Sequence, residues 1–199
     1  MTQRCATLSR TTGETAIELT LELDPAQPGD GRIDSGIGFL DHMLSAFARH
    51  GRFGLSVAAK GDLHVDFHHT TEDIAIVLGQ AFEQALGDKR GITRYGHAVV
   101  PMDEARVDAA IDISGRPFLV WDVRFRHDKI GQMDTELFEE FFRALSSNAR
   151  IALHVTQGAG TNDHHVAEAC FKAVARALGQ AVSIDPRAGN AVPSTKGVL

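Results

Sequence analysis

The run His68-His69-Thr70-Thr71-Glu72-Asp73 returns 96 residues later as His164-His165-Val166-Ala167-Glu168-Ala169, and each copy opens a segment with helical periodicity. A chain that repeats a local pattern at this separation is constrained to build one unit twice. Upstream of each copy the correspondence continues in order. Asp41-His42-Met43-Leu44-Ser45-Ala46-Phe47 faces Glu139-Glu140-Phe141-Phe142-Arg143-Ala144-Leu145 at an offset of 98. Further back, Glu14-Thr15-Ala16-Ile17-Glu18-Leu19 faces Glu104-Ala105-Arg106-Val107-Asp108-Ala109 at an offset of 90. The match is weak residue by residue, but the order is kept, and a shorter loop before the second pair accounts for the drift from 98 to 96.

The two halves also read alike in pattern. Ile17, Leu19, Leu21 and Leu23 alternate with Glu18, Thr20 and Glu22, which predicts a half-buried strand, echoed from Val107 to Ile113. Turn-forming residues follow, from Asp24 to Gly31 and at Ser114-Gly115-Arg116-Pro117. Phe39, Leu40, Met43, Leu44 and Phe47 give a helical face that should end with Gly51 at C′, and Phe138, Phe141, Phe142 and Leu145 repeat it. Strands are expected over Gly54–Ala59 and Arg150–Thr156. Ile74, Val77, Leu78, Ala81, Phe82 and Ala85 mark a long helix stopping near Gly87. Val166, Cys170, Ala173, Val174, Ala177 and Leu178 mark its partner, capped by Asn162 or Asp163 and stopping at Gly179. The prediction is an α+β fold: an internally duplicated antiparallel sheet with paired helices on one face. The halves are residues 1–95 and 96–182, followed by a loop-like arm, 183–199, that is mobile unless a ligand or neighbouring subunit holds it.

Composition narrows the functional classes. A chain of 199 residues, 43% hydrophobic and 23% charged, suits one globular domain or two small ones packed as a unit. A net charge of −6 argues against a nucleic-acid partner. No apolar run is long enough to span a membrane and none follows Met1, so a cytoplasmic location is expected. Cys5 and Cys170 form no spaced framework, and Cys170 falls on an apolar helix side as a core thiol.

The chemistry lies in the repeated pattern. Residues three and four apart share a helix face, so His68 and His69 each lie with Glu72, and adjacent histidines point about 100° apart. One ion cannot easily take both members of a pair, so two pairs suggest two metal ions. A lone His-His pair is commonly a solvated surface feature; two copies with the carboxylate at the same offset point to metal. His42 adds a donor, and its counterpart Glu140 can also bind metal. The candidates are therefore His42, His68, His69, Glu72, Glu140, His164, His165 and Glu168. Such a nitrogen and oxygen set suits Mn, Fe or Zn, and the absence of thiolates argues against a structural zinc cage. His97, His127 and His154 read as structural or solvated, and His50 as a helix C-terminal charge partner.

The runs Gly38-Phe39-Leu40-Asp41-His42-Met43-Leu44, His68-His69-Thr70-Thr71-Glu72-Asp73, Asp112-Ile113-Ser114-Gly115-Arg116-Pro117, Asn162-Asp163-His164-His165 with Glu168, and Ser194-Thr195-Lys196-Gly197 together resemble the imidazoleglycerol-phosphate dehydratase family, in its monofunctional form. They cover nearly the whole chain in the right order. The resemblance implies a duplicated unit of the ribosomal protein S5 domain 2-like type. It also implies two Mn(2+) per active site, and a homo-oligomer of twenty-four subunits with sites formed between neighbours. By the family pattern one ion is held by His42, His69, Glu72 and His165, and the other by His68, Glu140, His164 and Glu168. Many members carry His where this chain has Glu140.

The implied reaction removes water from imidazoleglycerol phosphate to give imidazoleacetol phosphate in histidine biosynthesis. Two ions gripping both ring nitrogens would stabilise an imidazolate, whose electrons expel the neighbouring hydroxyl before a carboxylate takes the remaining proton. Glu14 and Glu168 are the acid/base candidates. The phosphate is assigned to Arg94, Arg116, Lys172 and the Ser194-Thr195-Lys196 arm, which would close over the substrate. The wider substrate-contacting set adds His50 and the metal-side residues. Lys172 also has a plain alternative, an ion pair with Glu168 one turn earlier. Rival readings are a metal-storage module, which leaves the cationic set unexplained, and a binuclear hydrolase, which needs an open water position. No appended phosphatase domain is evident, so a single step is expected.

Overall fold

The computed structural model describes residues 4–197 and 199. Its first half runs β1 (Cys5–Thr11), β2 (Thr15–Glu22), β3 (Ile33–Asp34), α1 (Gly38–Gly51), β4 (Gly54–Gly61) and α2 (His68–Leu86). The second repeats that order: β5 (Tyr95–Met102), β6 (Ala105–Asp112), β7 (Phe118–Asp122), α3 (Glu136–Ala149), β10 (Ala152–Ala159) and α4 (Asp163–Val182), with a small hairpin, β8 (Lys129–Ile130) and β9 (Met133–Asp134), inserted before α3. The sheets have equivalent orders, β1-β2-β4-β3 and β5-β6-β10-β7. The duplication predicted from the sequence is thus present element by element.

The sheets are not purely antiparallel. β3 pairs β4 in parallel, and β7 pairs β10 in parallel, because a helix joins each pair. Only such a crossover lets consecutive strands run the same way. β2 and β6 alternate buried and exposed residues along their length, as the period-two pattern requires.

α2 rests on β1 and β2 and meets α3, while α4 rests on β5 and β6 and meets α1. The helices therefore form a layer between the two sheets, and their pairing crosses the halves. Aromatic clusters fill the layer: Phe53 lies 5.1 Å from Phe82, and Phe142 lies 4.8 Å from Phe171, ring centre to ring centre. Burying one such ring contributes about 1.5–3 kcal/mol. Cys170 is fully buried in this layer, as expected.

Of two glycines read as helix stops, Gly51 does end its helix and Gly179 does not. Gly51 is the last residue of α1, and Arg52 takes the left-handed conformation at φ 63°. Gly179 lies inside α4, which continues to Val182. A Cβ there would stand 2.6 Å from the Gly51 carbonyl oxygen, so tertiary approach of α1 and α4, not termination, selects glycine.

The C-terminal arm is held within the chain. Ile184 bridges Ile92, Asp185 N–H donates to Gly91 O at 2.8 Å, and Gly91 N–H donates to Ala191 O at 2.9 Å. Among the described residues, no helix is long and apolar enough to cross a membrane.

Candidate metal centre and phosphate cleft

The pairing of α1 with α4 brings His42 to the second His-His pair. His42 Nε2 and His164 Nε2 lie 3.1 and 3.2 Å from Glu168 Oε2, and Lys172 Nζ donates to Glu168 Oε1 at 2.6 Å. Ligand atoms of His42, His164 and Glu168 lie within 4.8 Å of one another, in the one such group of three found among the described residues. Burial alone would raise the Glu168 pKa. The hydrogen bonds and charges of Lys172 and His42 outweigh it and hold the carboxyl below its ordinary value. Two imidazoles with one ionised carboxylate form a donor set that fits a divalent cation.

This grouping divides the ligands differently from the family-implied sets, which separate His42 from His164 and Glu168. The equivalent position in the other half joins α3 to α2. There His68 Nε2 lies 3.9 Å from Glu72 Oε2, and Glu140 has an ion contact with Arg143 Nε at 3.5 Å. Lys172 follows its plain alternative, the ion pair with Glu168, and Met102 Sδ is its other neighbour at 3.8 Å.

The second histidine of each pair faces a strand turn. His69 Nδ1 lies 2.9 Å from Asp62 Oδ2, and its Nε2 lies 3.8 Å from Glu14 Oε1. His165 Nδ1 lies 2.8 Å from Glu104 Oε2, and its Nε2 lies 3.7 Å from Asp103 Oδ2. A carboxylate only accepts, so each Nδ1 carries a proton and each Nε2 is left as the free donor. These hydrogen bonds raise both histidine pKa values. Glu104 also accepts from Thr161 N–H at 3.0 Å and Asn162 N–H at 2.7 Å, which, with His165, holds its pKa at about 2. Asn162 caps α4 through its side chain, as expected.

Asp62 and Glu104 are supporting residues that spacing did not flag. Glu104 was visible only as the register partner of Glu14. Asp62 reaches α2 because Gly61 leaves room: a Cβ there would stand 1.9 Å from Thr70 Oγ1. His127 is likewise more than solvated, for its Nδ1 lies 2.8 Å from the buried Asp163.

The proposed phosphate residues gather elsewhere. Arg94, Arg116, Ser194, Thr195 and Lys196 line one cleft with Tyr95, Pro193 and Leu199. Arg94 is not a loose loop residue. Its guanidinium binds both oxygens of Asp112, at 2.7 and 3.2 Å, and donates to Pro193 O at 2.7 Å. It fastens the arm, whereas Arg116, with a side chain 71% exposed, makes among the described residues only a 4.0 Å ion contact with Asp112 and a 3.2 Å bond to Ser114 O. His50 lines a different cleft, with Arg52, His97 and Arg176. Burial, then the charges of Lys172 and Arg176, lower its pKa.

The arrangement defines a duplicated α+β protein with a helix-borne imidazole and carboxylate centre able to bind metal, and with a separate cationic cleft. A family model described as imidazoleglycerol-phosphate dehydratase matches residues 35–178. The imidazoleglycerol-phosphate dehydratase of Gluconacetobacter diazotrophicus is 63% identical over 198 residues, covering 100% of this chain and 99% of the relative. That of Granulibacter bethesdensis is 64% identical, covering 98% of this chain and 99% of the relative. A crystal structure of the Staphylococcus aureus enzyme matches with a TM-score of 0.83 and 40% identity, over 91% of this chain and 99% of that one. The chain belongs to the imidazoleglycerol-phosphate dehydratase family and is a hydro-lyase.

Proposed function

We propose that this chain dehydrates imidazoleglycerol phosphate to imidazoleacetol phosphate in histidine biosynthesis, with two Mn(2+) per active site. The observation that carries the reading is the meeting of His42, His164 and Glu168 across the two halves. His42, His164 and Glu168 would hold one ion, and His68, Glu72 and Glu140 the other. Each set offers three donors among the described residues, which supports completion by His69 and His165 of neighbouring subunits in a homo-oligomer. The bound ions would supply Lewis acidity at the two ring nitrogens of the substrate.

The proton work falls to Glu14. Its side chain is 55% exposed and, among the described residues, its ion contact is with His69, whereas Glu168 is engaged by His42, His164 and Lys172. A base must be free to take a proton, which favours Glu14 at the carbon that loses hydrogen. Arg116, Ser194, Thr195 and Lys196 bind the phosphate, and Arg94 holds the arm that carries three of them. The cleft then orients the glycerol chain and excludes water.

The test is to incubate Mn-loaded protein with imidazoleglycerol phosphate. Appearance of the ketone supports the dehydratase. Release of inorganic phosphate without ketone would instead favour a binuclear hydrolase, and metal binding without turnover a storage module.

A further inference from the structure

The two halves fasten equivalent turns by different means. In the second half the β5–β6 turn is tied to α4 by Glu104, whose carboxylate is spent on Thr161 N–H, Asn162 N–H and His165 Nδ1. In the first half the register partner of Glu104 is Glu14, and it makes none of these bonds. His69 draws its support from Asp62 instead.

The β1–β2 turn is tied down through a buried pair. Asp73, on α2, accepts from Thr15 Oγ1 at 2.5 Å and from Arg10 Nε at 2.9 Å. Thr12 Oγ1 accepts from the N–H groups of Glu14 and Thr15, at 3.1 and 3.0 Å, and so closes the turn. Thr15 and Asp73 are 4% and 5% exposed. In the second half their register partners are Ala105 and Ala169, which can form no such bond. The clamp therefore exists only where the turn bears a glutamate whose carboxylate is left free.

We propose that Asp73 and Thr15 are positioning residues for the reaction: their buried bond clamps the β1–β2 turn onto α2 and holds Glu14 beside His69, leaving its carboxylate unspent. A hydroxyl–carboxylate bond in a buried site resists rotation of the turn, and Glu14 follows directly on Thr15. The inference rests on the proton-transfer role given to Glu14 above. Displacing a reacting group by ~1 Å can cost about a hundredfold in rate.

The test uses the Mn-loaded protein, four single variants and one double variant. Thr15→Val keeps shape and removes the hydroxyl, Thr15→Ser restores it, Asp73→Asn weakens the acceptor, and Glu14→Gln removes the base. Thr15→Val and Asp73→Asn should lower kcat by about ten- to a hundredfold. KM and Mn affinity should stay within about twofold of the parent, as expected when only a transition-state contact is lost. Thr15→Ser should recover most of the rate. The double variant Glu14→Gln/Thr15→Val should be no slower than Glu14→Gln alone, because both changes act on one group. Additive losses, or a Thr15→Val rate equal to the parent, overturn the clamp. So does loss of Mn binding or of the folded assembly in both Thr15→Val and Asp73→Asn, since the pair is then structural only. A fully active Glu14→Gln would instead overturn the role given to Glu14, so the two failures are told apart.

Discussion

Replacing Gly179 by alanine should loosen the metal centre from a distance. α1 and α4 carry the two sides of the His42–His164–Glu168 group, and further along the pair their spacing is set where Gly179 meets Gly51. A Cβ on Gly179 would lie 2.6 Å from Gly51 O and 3.4 Å from Gly51 C. Carbon–oxygen contacts settle near 3.3 Å or more, so the backbones must part by about 0.7 Å (3.3 less 2.6). Glycine to alanine inside a helix otherwise gains about 1 kcal/mol. Overpacking costs about 1–3 kcal/mol, and the obstructing atom here is a helix carbonyl that cannot rotate aside. The upper part of that range applies, leaving a net loss of about 1–2 kcal/mol and a fall in Tm of roughly 2–8 °C. The same parting tilts α1 on α4, so Mn affinity should fall with stability. Thermal melts and Mn titration of Gly179→Ala measure both. Gly38→Ala is the control, since a Cβ there meets nothing within 4 Å, and it should be neutral or slightly stabilising. A Gly179→Ala protein that melts at or above the parent temperature with unchanged Mn binding refutes the close-approach argument.

Further outcomes follow from the supporting residues. The depressed pKa of Glu104, about 2 against an ordinary 4.5, means that its stabilisation is complete above 4.5 and is lost as pH falls toward 2. The Tm gap between the parent and Glu104→Gln should therefore close as pH falls below 4.5, and should also narrow as pH rises through the raised pKa of His165; a gap that widens in acid contradicts it. Arg94→Lys cannot reproduce the fork to Asp112 together with the bond to Pro193 O, so trypsin should cut the arm at Arg187 faster and KM should rise. Unaltered cleavage would show that the arm does not depend on Arg94. Mn titration should resolve two unequal classes of site, and Glu140→His should bring them closer; a single class in both proteins would count against Glu140 as a ligand.

Strong periodicity was legible and weak periodicity was not. β2, β6 and the four helices bury continuous apolar faces, so their residues announce them. β1 alternates in burial, but only Ala6 and Leu8 are apolar among its inward positions, and β7 opens on a continuous apolar run, Phe118-Leu119-Val120-Trp121, with no alternation to detect. Gly179 was misread because glycine in a helical run signals a stop by propensity, whereas here a neighbouring backbone demands it. The metal-site candidates were visible from spacing alone. Their partners were not, because which donors meet depends on α1 crossing to α4 rather than packing within its own half. Asp62 escaped notice because it acts from a turn with no periodic relation to His69.

The same crossing makes the two proposed half-sites unequal in charge. In the first, the imidazoles of His42 and His164 lie beside Glu168, whose charge Lys172 offsets at 2.6 Å. In the second, the register position of His42 is taken by Glu140, so the proposed set counts two carboxylates, Glu140 and Glu72, with the one imidazole of His68. Two carboxylates with one imidazole repel in the absence of a cation. Glu140 lies with Arg143, and His68 stands 3.9 Å from Glu72 rather than at hydrogen-bond distance. A dication reverses the balance, because each carboxylate adds a hard anionic donor and a unit of attraction. The two proposed half-sites would therefore differ in how strongly their own charges call for a dication. A cation held by the two-carboxylate set would be the weaker Lewis acid, because more of its charge would be neutralised. That inequality is one that a perfectly repeated chain could not provide.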